Sequence, residues 1–190
     1  RLSSAPNPAH FAKDPEHKLF WRFNMRRLTA EELRDSVLAI SGSLNPTGGG
    51  PWVFPPLPPE VVATASRPHA VWPVSPNAGD HFRRSVYIHV KRSLRHPMMA
   101  DFDQADTDSP CAVRFATTVP TQALSMLNSQ FTNDQAAVLA ARLRAQSPND
   151  ASKQVRAGLA LVLQRPPTDP EIQHCLNFMD NIRSQSGLDE

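Results

Sequence analysis

Hydrophobic residues recur at intervals of three and four along most of this chain, which is the spacing of an amphipathic α-helix. The clearest case begins with the sequence TAEE at 29–32, a capping box, and Gly42 is suited to end the helix that follows. We therefore predict a helix between these two signals. Its predicted buried stripe consists of Leu33, Val37, Leu38 and Ile40.

Further segments show the same periodicity and have their own boundary signals. Pro120 is suited to begin a helix that breaks near 128–129 and then continues. Asp150 is suited to cap the next helix, which the prolines at 166–167 end. The sequence TDPE at 168–171 is a second capping box. The predicted buried face of the last helix consists of Ile172, Leu176, Met179 and Ile182.

One segment alternates with a period of two instead. The sequence SVYIHV at 85–90 is rich in residues that favour strands, so it predicts a short strand. Because all other periodic segments are helical, the predicted fold class is mainly α. We expect an irregular helical domain with at most a short strand or hairpin.

The segment 46–76 interrupts these patterns, since it holds nine of the chain's 19 prolines and a glycine triplet at 48–50. Proline lacks a backbone donor and fixes φ, so the segment is not predicted to form a helix interior or a central strand. It also contains Trp52, Phe54 and Trp72, which a free linker would leave in water. We therefore predict a long ordered loop that packs across the helical body through these aromatic residues.

Length and charge limit the classes of protein that the chain can represent. With 190 residues and 40% hydrophobic content, the chain is predicted to form one domain over 1–190. Twenty Lys and Arg residues against eighteen Asp and Glu residues give a net charge of +2, which argues against a nucleic-acid partner. The chain has no apolar run long enough to predict a membrane span.

The segment MMADFDQADTDSPC at 98–111 is the candidate functional loop because it contains four aspartates in eight positions. The EF-hand pattern fails here, since glycine is absent at its sixth position and glutamate at its twelfth. A less regular calcium site stays open as an alternative. Five basic residues and no acid lie between 81 and 96, so we favour ion pairs with arginines, chiefly Arg92, Arg95 or Arg114. The candidate metal ligands are Asp101, Asp103, Asp106 and Asp108.

The same loop offers candidates for catalysis. Asp103 and Asp106 are suited to act as acid and base in the cleavage of a polysaccharide-derived substrate, with Arg92 and Arg114 in the site. Spacing along the chain does not set the distance between the two carboxylates. The chain's three tryptophans add carbohydrate stacking as an alternative.

Two cysteines, Cys111 and Cys175, limit the redox chemistry of the chain. They do not form the C-x-x-C-H motif, so this chain is not predicted to carry a c-type haem. Cys175 lies on the apolar stripe of the last helix, whereas Cys111 follows the acidic loop. A disulfide between them and two free thiols both stay open.

Four long motifs occur together in one order: WRFNMRRLTAEELRDSVLAISGSL at 21–44, GGPWVFPPLP at 49–58, RRSVYIHVKRSLRHPMMADFD at 83–103 and CAVRFATTVPTQALSMLN at 111–128. With them the chain resembles the C-terminal domain of planctomycete-type exported multidomain proteins, family 1553 of the domains of unknown function. The resemblance covers essentially the whole chain.

The resemblance implies a periplasmic or otherwise exported location. It also implies a parent protein with further domains, often including a cytochrome-c-like module that would carry any haem. It also implies that the chain is a fragment, without the N-terminal part of the domain and its closing helix. No established activity comes with it. Three hypotheses follow: a non-catalytic assembly or docking module that binds other domains of the parent protein, part of an enzyme for polysaccharide-derived substrates, and a structural module stabilised by calcium.

Overall fold

A computed structural model describes residues 4–64 and 71–186. Its α-helices are α1 (Pro8–Lys13), α2 (Ala30–Ser41), α3 (Pro59–Ala63), α4 (Pro97–Asp101), α5 (Pro120–Asn128), α6 (Gln130–Gln146), α7 (Ala151–Leu163) and α8 (Asp169–Ser186), with 3₁₀ helices at Ala78–Phe82 and Ser85–Tyr87. Within the described ranges the chain forms isolated β-bridges and no sheet. The predicted mainly α fold class is confirmed.

The helix boundaries follow from local chemistry that the sequence shows directly. At the start of α2, the backbone N–H of Thr29 donates to the Glu32 carboxylate at 2.9 Å, and the N–H of Glu32 donates to the Thr29 hydroxyl at 3.3 Å. Gly42 ends the helix with φ of 90°, a conformation that costs glycine little. The predicted break between α5 and α6 is also confirmed, because Ser129 adopts an extended conformation and caps α6.

Helix α2 lies at the centre of the molecule and contacts α4, α6 and the 3₁₀ helix at 85–87. The predicted buried stripe is wrong in part: Leu38 is fully buried, but Leu33, Val37 and Ile40 are only half-buried. The face that the helix buries repeats at intervals of three and four around an arginine. It consists of Ala30, Arg34, Leu38 and Ser41.

The predicted strand at 85–90 is wrong. Ser85 donates both its backbone N–H and its hydroxyl to the Asp35 carboxylate, each at 2.7 Å, and this anchors the segment to α2. The chain turns there as the 3₁₀ helix Ser85–Tyr87 instead of extending. A single parallel bridge between Val53 and Ile88 is the pairing that this segment makes.

Residues 65–70 of the proline-rich segment lie outside the described part of the chain. The rest of the segment packs on the helical body, but through fewer aromatic anchors than predicted. Trp72 is buried, and its indole N–H donates to the backbone oxygen of Pro55 at 2.6 Å. The Phe54 ring meets it edge to face at 5.1 Å. The prediction that Trp52 anchors the segment is wrong, because this side chain is 64% exposed. The segment also contains the short helix α3, which its prolines did not predict.

Helices α7 and α8 pack against each other, and α7 also contacts α6. The predicted buried face of α8 is confirmed at its first position, since Ile172 is 4% exposed. It is wrong at its last position, because Ile182 is 45% exposed and lies one turn from the exposed Phe178. Leu176 and Met179, between them, are half-buried. Among the described residues, none of the helices is both long enough and apolar enough to cross a membrane.

Candidate functional site

Asp103 is the most strongly held aspartate of the acidic loop. Its carboxylate accepts the backbone N–H of Thr117 at 2.8 Å and the Thr117 hydroxyl at 2.9 Å, and it pairs with Arg27 at 3.2 Å. The Thr117 N–H is the main cause that holds the Asp103 pKa below its usual value. Asp103 also has a φ of 62°, a left-handed conformation that aspartate tolerates better than most residues. These contacts close the loop between 103 and 117.

Asp106 and Asp108 form ion pairs on the outer side of the loop. The Asp106 carboxylate accepts the backbone N–H of Asp108 at 3.1 Å and pairs with Arg95. That N–H first, and the guanidinium of Arg95 after it, lower the pKa of Asp106. Asp108 pairs with the Nε of Arg92 at 2.7 Å. The expectation that arginines hold the loop therefore applies to Arg92 and Arg95.

Arg114 does not hold the acidic loop, so its predicted role there is wrong. Its guanidinium forms two hydrogen bonds with the Glu31 carboxylate on α2, at 2.9 and 2.8 Å. Arg27 pairs with Asp103 instead, a contact that the sequence did not predict. A separation of 76 positions between Arg27 and Asp103 leaves no local signal for this contact.

The structure brings together two of the four catalytic candidates. Asp103 and Arg114 line a depression of about 100 Å³, together with Leu28 and Phe115. Asp106 and Arg92 do not line it. The proposed acid and base pair, Asp103 and Asp106, therefore does not share this depression.

The four aspartates are engaged differently from the ligands of a metal site. Asp101 contributes its backbone oxygen, which accepts a hydrogen bond from Gln122 at 3.0 Å, while the other three carboxylates pair with arginines. Throughout 4–64 and 71–186, no group of three or more His, Cys, Asp or Glu side chains is arranged to hold a metal ion. Calcium binding to this loop stays a prediction.

Both cysteines are free thiols in the structure. Cys111 is exposed and its Sγ lies 3.4 Å from the backbone oxygen of Val113, whereas Cys175 is half-buried on α8. Of the two alternatives that the sequence left open, this arrangement corresponds to two free thiols.

A much larger cleft lies elsewhere, and no pattern in the sequence predicted it. Its volume is about 830 Å³, which falls in the range of small-molecule sites. Five parts of the chain form its walls: α2, the proline-rich segment at 55–60, the 3₁₀ helix at 78–82, the segment around α4, and the junction of α5 and α6. Its apolar lining includes Leu57, Phe82, Met98, Met126 and Phe131.

Arg34 is the charged residue buried in the wall of this cleft, and it is only 1% exposed. Its guanidinium donates to the backbone oxygens of Arg83 at 3.0 Å and His81 at 2.6 Å, and it lies over the Phe131 ring at 5.3 Å. Its Nε–H has no acceptor within the described part of the chain. Burial lowers the pKa of Arg34 to about 10, so the side chain is still charged at neutral pH.

His96 lies in the same wall, immediately before α4. Its Nδ1 is buried without a hydrogen-bond partner, and Nε2 makes no hydrogen bond with any described residue. Burial, and then the charge of Arg34, lower the pKa of His96 to about 4. At neutral pH the wall therefore combines one buried guanidinium with one neutral imidazole.

No sequence signal pointed to Arg34, because an arginine within a helical pattern is assigned to the solvent face. Its position four residues after Ala30 and four before Leu38, both buried, is recognisable only once the buried face of α2 is known. His96 carries a weak signal, since it precedes Pro97 at a helix start.

Comparison with known proteins gives the family of the chain. No curated protein matches it, and no solved structure matches it. The model of one protein family matches residues 1–179, which is nearly the whole chain, and its description is PSD1: Protein of unknown function (DUF1553). The chain therefore belongs to the PSD1 (DUF1553) family.

Proposed function

We propose that this domain is a non-catalytic docking module, which associates with other domains of a larger exported protein. The observation that carries the proposal is the exposed aromatic residue at the small depression. Phe115 is 85% exposed and stands beside Leu28, which is 43% exposed. An aromatic side chain of this size contributes much of the free energy of binding when a partner covers it.

The charges around Phe115 suit a protein interface. Two ion pairs flank the depression: Arg27 with Asp103 at 3.2 Å and Arg114 with Glu31 at 2.8 Å. Both pairs are partly exposed, so they form a polar rim around the apolar centre. We call this surface, formed by Leu28, Phe115 and the two ion pairs, the Phe115 surface.

The state of the aspartates favours docking over catalysis. A general acid needs a carboxyl group that keeps its proton near neutral pH, which requires a raised pKa. Hydrogen bonds and arginines instead lower the pKa of both Asp103 and Asp106. The alternative of an enzyme for polysaccharide-derived substrates therefore has less support from these two residues.

Photo-crosslinking in the full-length parent protein tests the docking role. Benzoylphenylalanine replaces Phe115 in one variant and Val86, which is 70% exposed, in a control variant. We expect crosslinks from position 115 to another domain of the parent protein, identified by mass spectrometry, and a lower yield from position 86. Equal yields at the two positions, or crosslinks only within this domain, would show that the Phe115 surface does not dock.

An activity assay separates docking from catalysis. The purified chain is incubated with a panel of oligosaccharides, with and without calcium, beside the variants Asp103→Asn and Asp106→Asn. We expect no turnover by any of the three proteins. If the unchanged chain turns over a substrate and either substitution abolishes that turnover, the enzyme hypothesis replaces the docking proposal.

A further inference from the structure

The large cleft beside Arg34 has the composition of a ligand site, and it is separate from the Phe115 surface. Its volume of about 830 Å³ is enough for a small organic molecule. Most of its lining is apolar, from prolines, methionines and phenylalanines. Because the rest of the lining is apolar, the polar groups in its wall indicate which polar groups a ligand needs in order to bind.

The first of these groups is the buried cation. Arg34 has no carboxylate within ion-pair distance among the described residues. Asp35, whose charge acts on Arg34, is linked to it through the Ser85 hydroxyl, and Asp35 also pairs with Arg84. A buried guanidinium in this situation favours an anion at the adjacent wall, because the low local dielectric strengthens attraction between opposite charges.

The second group is the imidazole of His96. Since its Nδ1 is sealed in the protein, Nε2 is the ring nitrogen left for a ligand. A neutral imidazole protonated at Nε2 donates one hydrogen bond, which a carboxylate oxygen accepts well. The positive charge of Arg34 acts on the same region, since it contributes to the lowered pKa of His96.

The exposed lining residues limit the ligand to one negative charge. Three acids, Glu60, Asp101 and Asp134, line the cleft and are exposed, so they lie on its solvent-facing side, which we call its mouth. A ligand with a second carboxylate at its outer end would meet them at close range, and like charges repel. The interior thus favours an anion, and the mouth disfavours one.

From these contacts we propose that the cleft binds a small organic monocarboxylate with an apolar body, its carboxylate placed against His96 and Arg34 and its apolar part along the proline and methionine wall. The proposal does not depend on the docking function. The bound anion favours the protonated form of His96, so binding is expected to raise the pKa of His96.

Three probe molecules test the proposal in calorimetric titrations of the whole chain. Octanoate has the anion and the apolar body, octanamide lacks the charge, and acetate lacks the body. We expect saturable binding of octanoate, with at least tenfold weaker binding of the other two. In parallel, NMR titration of the His96 ring is expected to show its pKa rise by about one unit when octanoate saturates the protein.

A matched pair of variants locates the binding without touching Arg34. Asn128 is exposed and lines the cleft, and Asn177 is exposed on α8 away from it. We expect Asn128→Trp to weaken octanoate binding at least tenfold, because the indole fills the cleft, and Asn177→Trp to leave it unchanged. The proposal fails if millimolar octanoate does not bind saturably, if octanamide or acetate binds equally well, or if Asn128→Trp binds like Asn177→Trp.

Discussion

The acidic loop and the wall of the large cleft both bring charged side chains together, yet they satisfy them in different ways. In the loop, three aspartates each have an arginine partner near the surface: Arg27 with Asp103, Arg95 with Asp106 and Arg92 with Asp108. In the wall, Arg34 is almost fully buried and relies on backbone oxygens. The acidic loop pairs its charges in or near water. The cleft wall holds a charge away from water, with no ion partner among the described residues.

This difference predicts where changes in charge affect the molecule most. An exposed ion pair contributes little to the free energy of unfolding, because water solvates both charges when the pair is broken. A buried guanidinium organises several acceptors, and its removal leaves them without donors. We therefore expect the loss of a charge in the cleft wall to lower the free energy of unfolding more than the loss of a charge in the acidic loop.

The largest expected effect comes from Arg34→Met, with Arg84→Met as the matched control. The substitution removes donors from the backbone oxygens of His81 and Arg83, so we expect the free energy of unfolding to fall by about 3 kcal/mol or more. Arg84 is 61% exposed and pairs with Asp35 at 3.7 Å, so its loss should cost less than about 1 kcal/mol.

Urea denaturation of both variants at neutral pH gives these values. Equal losses in the two variants would contradict the comparison, because they would show that the buried guanidinium contributes no more than an exposed one.

The next largest effect is the pH dependence that His96 confers on stability. Its folded-state pKa of about 4 lies below the ordinary value of 6.5, so the unfolded chain takes up a proton that the folded protein excludes. The stability contributed by neutral His96 is complete above pH 6.5 and decreases as the pH falls toward 4, by roughly 3 kcal/mol in total. The other titratable groups that line the cleft are Arg34, His81, Glu60, Asp101 and Asp134.

Urea denaturation of the unchanged chain and of His96→Gln between pH 7 and pH 4 measures how much of the pH dependence of the free energy of unfolding comes from His96. Because glutamine does not titrate, we expect the variant to lose less stability over this interval. Parallel curves for the two proteins would mean that His96 is not responsible.

The parts of the fold that the sequence predicted correctly depend on residues close together in the chain. The capping box at Thr29 and Glu32, the C-cap at Gly42 and the break at Ser129 each involve neighbours within four positions. The strand prediction at 85–90 failed because a distant residue, Asp35, binds Ser85 and turns the chain. Local signals determined where helices begin and end, while long-range hydrogen bonds decided the rest.

The candidate sites show the same limit. The sequence indicated that arginines pair with the acidic loop, since cations precede it, but it could not choose Arg27 over Arg114. It also could not separate Trp52 from Trp72, because both are apolar residues among prolines. The cleft was missed altogether, since its walls come from five separate parts of the chain.

A smaller effect is expected from Asp103→Asn, with Asp101→Asn as its control. Asparagine tolerates the left-handed φ at this position, so the substitution removes the charge and keeps the backbone. We expect a loss of about 1 kcal/mol at pH 7, since charge-assisted bonds to Thr117 and Arg27 are weakened. The control should change stability by less than half of that.

The stability difference between the unchanged chain and Asp103→Asn should also depend on pH in a defined direction. The folded-state pKa of Asp103 is lowered, so its contribution is present above the ordinary value of 3.8 and is lost as the pH falls through the folded-state pKa. The difference between the unchanged chain and Asp103→Asn should therefore shrink in acid. A difference that grows as the pH falls below 4 would contradict this assignment.

The smallest effect is expected from calcium, which would have to displace arginines from the loop. Asp106 and Asp108 already pair with Arg95 and Arg92, and calcium needs six or more oxygen ligands that these two carboxylates do not supply. We expect thermal unfolding midpoints in millimolar calcium and in excess chelator to agree within about 1 °C. A metal that binds only the folded protein raises the midpoint. A rise of several degrees that the double variant Asp106→Asn, Asp108→Asn removes would therefore establish a calcium site and overturn the ion-pair account of the loop.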